Sequence, residues 1–333
     1  MGVKLKELFT PKQTSMKELA GRSLAIDAFN WIYQFLTTIR LADGSYLTDK
    51  EGNITTHLNG LFYRSLNLLS NNITPIFVFD GRAPKFKKAT AMEREEAKME
   101  AEKLAESAAT REERLMYMRR TVRIDNYIVD SSKELLTAMG IPFFQAPAEG
   151  EAQAARINAD GLVYGAASQD YDTLLFGAGR LIRNLNITNR KKVTGKGITT
   201  AVMPEIIESG DYVKTLGISR EQLVVLSLLV GTDYNRGVNG IGPKKALSLV
   251  KKESTDKIMG SYDFGCDYSI REVYEYFLNP NVSEMHDEVR LKRLERENLI
   301  DFMCTKHGFD LQRISSAVDK IKKDEASLFD YGE

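Results

Sequence analysis

Thr74-Pro75-Ile76-Phe77-Val78-Phe79-Asp80-Gly81 is an apolar run closed by an acid and a glycine, and it reads as a buried strand. The same pattern stands earlier in Leu24-Ala25-Ile26-Asp27. It returns in Gly161 to Ser168, closed by Gln169-Asp170-Tyr171-Asp172. Between these runs lie segments with apolar residues at helical spacing: Phe29 to Ile39, Ser132 to Met139 and Glu151 to Ile157. Strands alternating with helices predict an α/β fold, a mainly parallel central sheet flanked by helices. In such sheets sites form at the carboxyl ends of strands. Asp27, Asp80 and Asp170 each fall at the end of a predicted strand, which a purely structural role does not explain.

The chain has 333 residues, enough for one large domain or two small ones. Hydrophobic residues make up 43% and charged residues 28%, a soluble globular balance. No stretch approaches the roughly 20 apolar residues of a membrane span. The start, Met-Gly-Val-Lys-Leu-Lys, lacks the apolar run of a signal peptide, and Lys6 spoils its match to a myristoylation motif. Two cysteines, Cys266 and Cys304, exclude a disulfide framework and a cysteine zinc site, and they suggest a reducing intracellular setting. Three scattered histidines argue against a histidine metal site. A metal would be held by carboxylates, which favours hard cations such as Mg²⁺ or Mn²⁺.

With 46 basic and 46 acidic residues the net charge is zero. The basic residues nonetheless cluster: Lys85/Lys87/Lys88, Arg119/Arg120/Arg123, Arg190/Lys191/Lys192/Lys196, Lys244/Lys245 and Lys251/Lys252. One cluster alone reads as a solvated face; several together suit a duplex backbone. Residues 86–123 hold an alanine-rich stretch of mixed charge, Glu93 to Lys103, which predicts a helix with ion pairs and little apolar face. The plain reading is a solvated surface helix. The functional one is a helical arch standing off the core, able to order around a strand.

Seven acids stand out: Asp27, Asp80, Glu149, Glu151, Asp170, Asp172 and Asp233. Taken singly, each reads as a cap or turn residue. The pairs Asp170/Asp172 and Glu149/Glu151 place acids two apart, which in extended backbone puts them on one side. The first pair is expected to end a strand; the second bridges a loop and a helix start. Two carboxylates ~4 Å apart repel by about 4 kcal/mol at an effective dielectric near 20. A two-metal site uses that density of charge, with ions about 3.5–4 Å apart acting on a phosphodiester, and it needs no dedicated general base.

Leu223 to Val230 predicts an apolar helix, followed by Gly231-Thr232-Asp233-Tyr234. Gly240-Ile241-Gly242-Pro243-Lys244-Lys245 then opens another helix. It lacks the Walker A spacing. As a glycine turn before a helix it is either an ordinary connection or a backbone phosphate site, and the two lysines favour the latter.

Together these motifs closely resemble the flap endonuclease family, within the XPG/Rad2-like group of 5′ structure-specific nucleases. The match runs through Met1-Gly2-Val3, Tyr33-Gln34-Phe35-Leu36, Phe77 to Gly81, Ala146 to Ala155, Ser168 to Asp172, Leu229 to Tyr234 and Gly237 to Lys244. The length and the lack of a long basic tail look archaeal, which implies a cytoplasmic protein. The resemblance implies that the seven acids hold two Mg²⁺ ions, with Mn²⁺ able to substitute. It makes Lys87 and Arg94 contacts to the scissile phosphate, and Tyr33 a ring stacking on a base near the cut. It sets Gly2 near the site and makes Gly237 to Lys245 part of a helix–two-turn–helix element that holds duplex backbone beside a bound K⁺. The expected organisation is a single nuclease domain over 1–333. It comprises an N-terminal region at 1–105, an arch at 86–123, an internal region at 124–255 with the helix–two-turn–helix at about 223–250, and a C-terminal helical region and tail at 256–333.

The implied activity is cleavage of branched DNA with a 5′ flap near the single-strand/duplex junction, with 5′–3′ exonuclease activity, in Okazaki-fragment maturation and base-excision repair. The implied state is a monomer. Family members often end in a box that binds the sliding clamp (PCNA). Here Glu325 replaces its Gln and Gly332 its last aromatic, leaving Leu328 and Tyr331 as weak anchors. Two other readings stand beside this one. A non-catalytic branched-DNA binding protein would gain by losing the crowded acids. A ribonuclease on a similar core would not explain the Gly240–Lys245 turn or the arch.

Overall fold

The computed structural model describes residues 3, 5–185, 191–192, 199–200, 202–285 and 290–325. Among these residues nine strands form one seven-stranded sheet and one two-stranded sheet. In chain order they are β1 (Lys12–Gln13), β2 (Ser23–Asp27), β3 (Thr74–Phe79), β4 (Phe143–Gln145), β5 (Gly165–Ala167), β6 (Arg180–Arg183), β7 (Lys191–Lys192), β8 (Thr199–Thr200) and β9 (Glu205–Glu208). The main sheet runs β1-β9-β6-β5-β2-β3-β4, and β7 pairs with β8. From β6 to β4 every pairing is parallel, whereas β9 and β1 are antiparallel at one edge. The mainly parallel sheet is as expected. The antiparallel edge lies outside the three runs that announced the fold.

Among the described residues fourteen α-helices accompany the sheet. They are α1 (Ala28–Thr38), α2 (Thr56–Ser70), α3 (Lys88–Glu106), α4 (Arg111–Met118), α5 (Asn126–Ala138), α6 (Gly150–Ala159), α7 (Asp172–Leu175), α8 (Ser209–Leu216), α9 (Arg220–Val230), α10 (Pro243–Lys252), α11 (Thr255–Ser261), α12 (Ile270–Leu278), α13 (Arg296–Ile300) and α14 (Leu311–Glu325). A short π-helix, Asp301–Lys306, follows α13.

The sheet is buried on both faces, which its strands declare by alternation. Ala25, Ile76, Val78, Ala166 and Leu181 join one core with the apolar residues of α6, α7, α9, α10 and α12. Leu24, Ile26, Phe77, Phe79 and Ile182 join the other, with α1, α2, α5, α13 and α14. Central β2 has β3 on one side and β5 on the other, so the chain reverses its direction of winding there. That switch point opens a crevice at the carboxyl ends of these strands.

Residues 88–118 form a helical pair. The 19-residue α3 buries only Ala101 and Ala105, in keeping with its sparse apolar face. A capping box between Thr110 and Glu113 starts α4. Arg123 pairs with Glu95 at 2.7 Å and also with Glu102. One member of the Arg119/Arg120/Arg123 cluster is therefore engaged in ion pairs with α3. The pair does not stand wholly free: Arg40 Nη2 donates to Met118 O at 3.1 Å, and Arg111 donates to Ala42 O.

The other appendage to the sheet is α9, its turn, and α10. In α9 every residue from Leu223 to Leu229 is buried, so the helix is apolar all round. The turn that follows depends on two glycines at positive φ, Gly231 (+107°) and Gly237 (+80°). A Cβ on Gly237 would lie 2.6 Å from Gly231 N, so only glycine permits the close pass. The Asn235 side chain braces the loop, accepting from Thr232 N at 3.2 Å and Oγ1 at 2.9 Å. It donates to Leu228 O at 2.8 Å and Phe264 O at 3.1 Å.

Candidate active site

The acids reach the crevice by different local routes. Asp27 ends β2 and caps α1, accepting from Asn30 N at 3.0 Å. Asp80 follows β3 and accepts from Gly150 N at 2.6 Å. A Cβ on Gly150 would sit 2.7 Å from Asp80 Oδ1, so a larger residue there would displace that carboxylate. Glu149 is the N-cap of α6 and Glu151 lies in its first turn, so this pair bridges a loop and a helix start as expected.

The other pair needs a correction. Asp170 lies in a turn beyond β5, Tyr171 has helical backbone, and Asp172 is the first residue of α7. The strand itself is shorter than Gly161 to Ser168. What unites Asp170 and Asp172 is a turn into a helix rather than an extended strand end.

All seven acids feel one another's charge across the crevice. Burial, then the nearby charges of Asp80 and Asp170, pushes Asp27 up to about 7. Burial, then Asp233, pushes Asp172 up to about 7. Glu151 is driven well above the usual carboxylate range by burial and by Asp170, Asp27 and Asp172. Burial also raises Asp80 and Glu149. The carboxylates distant in sequence are therefore electrostatic neighbours.

Cations and N–H groups offset part of that repulsion. Lys87 Nζ lies 2.6 Å from Glu149 Oε2, and Arg94 Nη2 lies 2.7 Å from Asp233 Oδ1. Burial alone would lower the Lys87 ammonium, but Glu149, Asp80 and Asp233 together raise it above its ordinary value. The chain supplies two cations from the base of α3. Asp233, which comes from the turn after α9, joins the site through Arg94 and through its field on Asp172.

Further contacts escaped the sequence reading. Ser168 Oγ lies 2.6 Å from Glu151 Oε1 and 3.4 Å from Asp27 Oδ2, and it accepts from Asp170 N at 3.2 Å. One hydroxyl thus links three acids, and its signal was its place in Ser168-Gln169-Asp170-Tyr171-Asp172. Thr90 Oγ1 donates to Asp233 O at 2.7 Å. Val3 N donates to Asp172 Oδ1 at 3.1 Å, which brings the start of the chain to the site. Gly2 lies outside the described residues, as do Leu328 and Tyr331.

Tyr33 is 43% exposed on α1, less than two turns beyond Asp27. Gly240, Gly242, Lys244 and Lys245 are exposed at the head of α10, where Gly242 is the N-cap and Pro243 the first helical residue. The free N–H groups of that first turn point out of the helix end.

The donor set suits hard divalent cations: seven carboxylates, with no histidine among the described residues hydrogen-bonded to them. Among the described residues no three such side chains are gathered into a ready-made cage. Of the seven, Asp27, Glu149 and Asp172 are nearly buried, at 6%, 5% and 4% exposure.

Comparison with known proteins bears on the family and the fold. The XPG N-terminal domain family matches residues 1–101 and the XPG I-region family matches residues 140–233. Flap endonuclease 1 of Thermococcus onnurineus is 45% identical over 327 residues, covering 97% of this chain and 95% of that one. The protein of the same name from Archaeoglobus fulgidus is 43% identical, covering 97% and 96%. The solved flap endonuclease-1 from Methanococcus jannaschii superimposes with a TM-score of 0.76 at 36% identity, covering 98% of this chain and all of that one. The catalytic core of Rad2 in complex with DNA substrate shares the fold, with a TM-score of 0.69 at 23% identity.

Proposed function

The chain belongs to the XPG-type flap endonucleases, and from that premise we propose how its residues divide the work of cutting a 5′ flap. The enzyme is a metal-dependent, structure-specific nuclease that hydrolyses a phosphodiester near the single-strand/duplex junction, in DNA replication and repair.

The acids around Asp27 and Asp172 would hold two Mg²⁺ ions, with Mn²⁺ as a substitute. The observation that carries this is the raising of three acids by burial and by neighbouring carboxylates, Asp27 by Asp80 and Asp170, Glu151 by Asp170, Asp27 and Asp172, and Asp172 by Asp233 and Asp170, which a bound cation relieves. When bound, the ions supply charge that acidifies the attacking water and offsets negative charge developing on the phosphate. Lys87 and Arg94 stand at the same crevice, where their cationic heads would contact the scissile phosphate and stabilise that charge. Tyr33, exposed near the capping acid Asp27, would stack on a base beside the cut. The products would be a 5′-phosphate and a 3′-hydroxyl.

Duplex binding falls to the glycine turn and to the head of α10, whose free N–H groups and exposed Lys244 and Lys245 suit phosphate oxygens. A K⁺ ion at this element, a monomeric state and a cytoplasmic location complete the reading; among the described residues no helix is long and apolar enough to cross a membrane. We also assign the tail a weak sliding-clamp contact through Leu328 and Tyr331, which a titration of the tail peptide against the clamp tests.

The experiment for the main reading uses an end-labelled 5′-flap duplex with Mg²⁺, with chelator, and with Asp172→Asn. Cleavage near the junction that needs both Mg²⁺ and Asp172 is expected. Undiminished cleavage by the variant would sink the assignment of the acids.

A further inference from the structure

We propose that Thr90 is a positioning residue for Asp233: with Arg94 it forms a two-point hold through which the base of the arch sets where the last-arriving carboxylate stands. This rests on the reading of Asp233 as a metal ligand given above.

A threonine inside a helix usually returns its hydroxyl to the carbonyl four residues back. Thr37, Thr38 and Thr137 all do so in this chain, donating to Tyr33 O, Gln34 O and Lys133 O at 2.7, 2.7 and 2.9 Å. Thr90 in α3 does otherwise. Its hydroxyl leaves the helix and donates to Asp233 O at 2.7 Å, across 143 residues of sequence. Arg94 follows four residues later, on the same helix face. It donates to Asp233 Oδ1, also at 2.7 Å. One residue holds the backbone of Asp233 and the other its carboxylate.

From the opposite side Asp233 is held by the braced turn. Tyr234 N donates to Thr232 Oγ1 at 3.1 Å, and Asn235 ties the turn to α9. The Tyr234 ring packs edge-on against Phe86 at 6.4 Å, so the turn also meets the residues that lead into α3. Glu93 pairs with Arg236 beside it. Asp233 is therefore fixed between a rigid turn and the arch helix.

The two holds have different fates in the reaction. Arg94 is a long cation with a phosphate to meet, and when it moves to substrate its grip on Asp233 loosens. The Thr90 bond is short, uncharged and made to backbone, so substrate does not compete for it. It keeps the carboxylate in register while Arg94 works.

The test compares Thr90→Val, which keeps the shape and loses the hydroxyl, with Thr90→Ser, which keeps the hydroxyl, in the full chain. Mn²⁺ binding is measured by calorimetry, and flap cleavage is followed across Mg²⁺ concentration. Outer-shell partners of metal sites typically govern affinity by 10–100-fold, so Thr90→Val should weaken the weaker Mn²⁺ site about tenfold and raise the Mg²⁺ needed for half-maximal rate. The rate at saturating Mg²⁺ should change little, and Thr90→Ser should restore wild-type binding. Melting curves in chelator confirm folding, with Thr90→Ala as a smaller replacement if valine crowds the crevice. Wild-type Mn²⁺ binding by Thr90→Val, or failure of serine to restore it, overturns the proposal. Asp233→Asn separates the two layers. If it leaves Mn²⁺ binding unchanged, Asp233 is no ligand and the underlying reading fails. If it weakens binding while Thr90→Val does not, only the role of Thr90 falls.

Discussion

Lys87 Nζ stands 2.6 Å from Glu149 Oε2, joining the cap of α3 to the cap of α6. The ammonium reaches the crevice on a flexible stem, where it meets Glu149 and, in the proposed reaction, would meet the incoming phosphate. Lys87→Met keeps much of the stem and removes the charge. Its single-turnover flap cleavage should fall about 10²–10³-fold, the usual loss when one charge-stabilising donor is removed. Flap affinity should change far less. A rate within a few-fold of wild type would show that Lys87 does not act on the transition state.

Asp172 is 4% exposed and faces Asp233 and Asp170. Asp172→Asn preserves its shape and can still accept from Val3 N, while removing one charge from a crowded site. The variant should lose cleavage yet melt higher than wild type in chelator, by about 2 °C for each kcal/mol of repulsion removed in a chain of this size. Mg²⁺ should raise the melting temperature of wild type more than that of the variant. A lower melting point in chelator would mean that the carboxylate is a structural asset.

Lys244 and Lys245 are exposed in the first turn of α10. Replacing both with alanine should weaken duplex binding without moving the cut site. The plot of log affinity against log salt should become shallower by about 1.8, roughly 0.9 for each lost phosphate contact. An unchanged salt slope would place the duplex elsewhere.

His57 predicts an acid sensitivity unrelated to catalysis. Burial, then the charge of nearby His307, pushes it down to about 3. Its Nε2 lies 2.7 Å from Ser131 Oγ, and its ring packs edge-on against Tyr127. His307 in turn meets Asp49 at 3.2 Å. Folding thus holds His57 neutral at pH values where the unfolded chain protonates it. A depressed folded value contributes stability above pH ~6.5 that is lost as pH falls toward 3. Between pH 6.5 and 5 the wild type should lose about 2 kcal/mol relative to His57→Gln, at 1.36 kcal/mol per pH unit. Denaturant unfolding of both proteins at the two pH values measures this, and taking their difference cancels the carboxylates of the crevice. Parallel pH profiles would refute it.

The predictions draw on parts of the molecule that were unequally visible in the chain. The strands β2 and β3 were plain because both faces of the sheet are buried, which turns them into short apolar runs ending in acids. The edge strands β1 and β9 were not, since Lys12–Gln13 and Glu205–Glu208 carry too little apolar pattern to announce pairing between residues so far apart. The α9–turn–α10 element was visible because its glycines are demanded by local backbone geometry.

The sequence by itself determined which acids, glycines and helical periods the chain carries, and those local features reveal α/β winding and a carboxylate site. Only the tertiary structure decided how the acids are held. Asp170 and Asp172 share a turn rather than a strand end, Ser168 bridges three acids, and Thr90 and Arg94 grip Asp233 from another element. The physical reason is reach. Strand and helix periodicity acts over a few residues, whereas the contacts that place Asp233 span more than a hundred and exist only once both cores have packed.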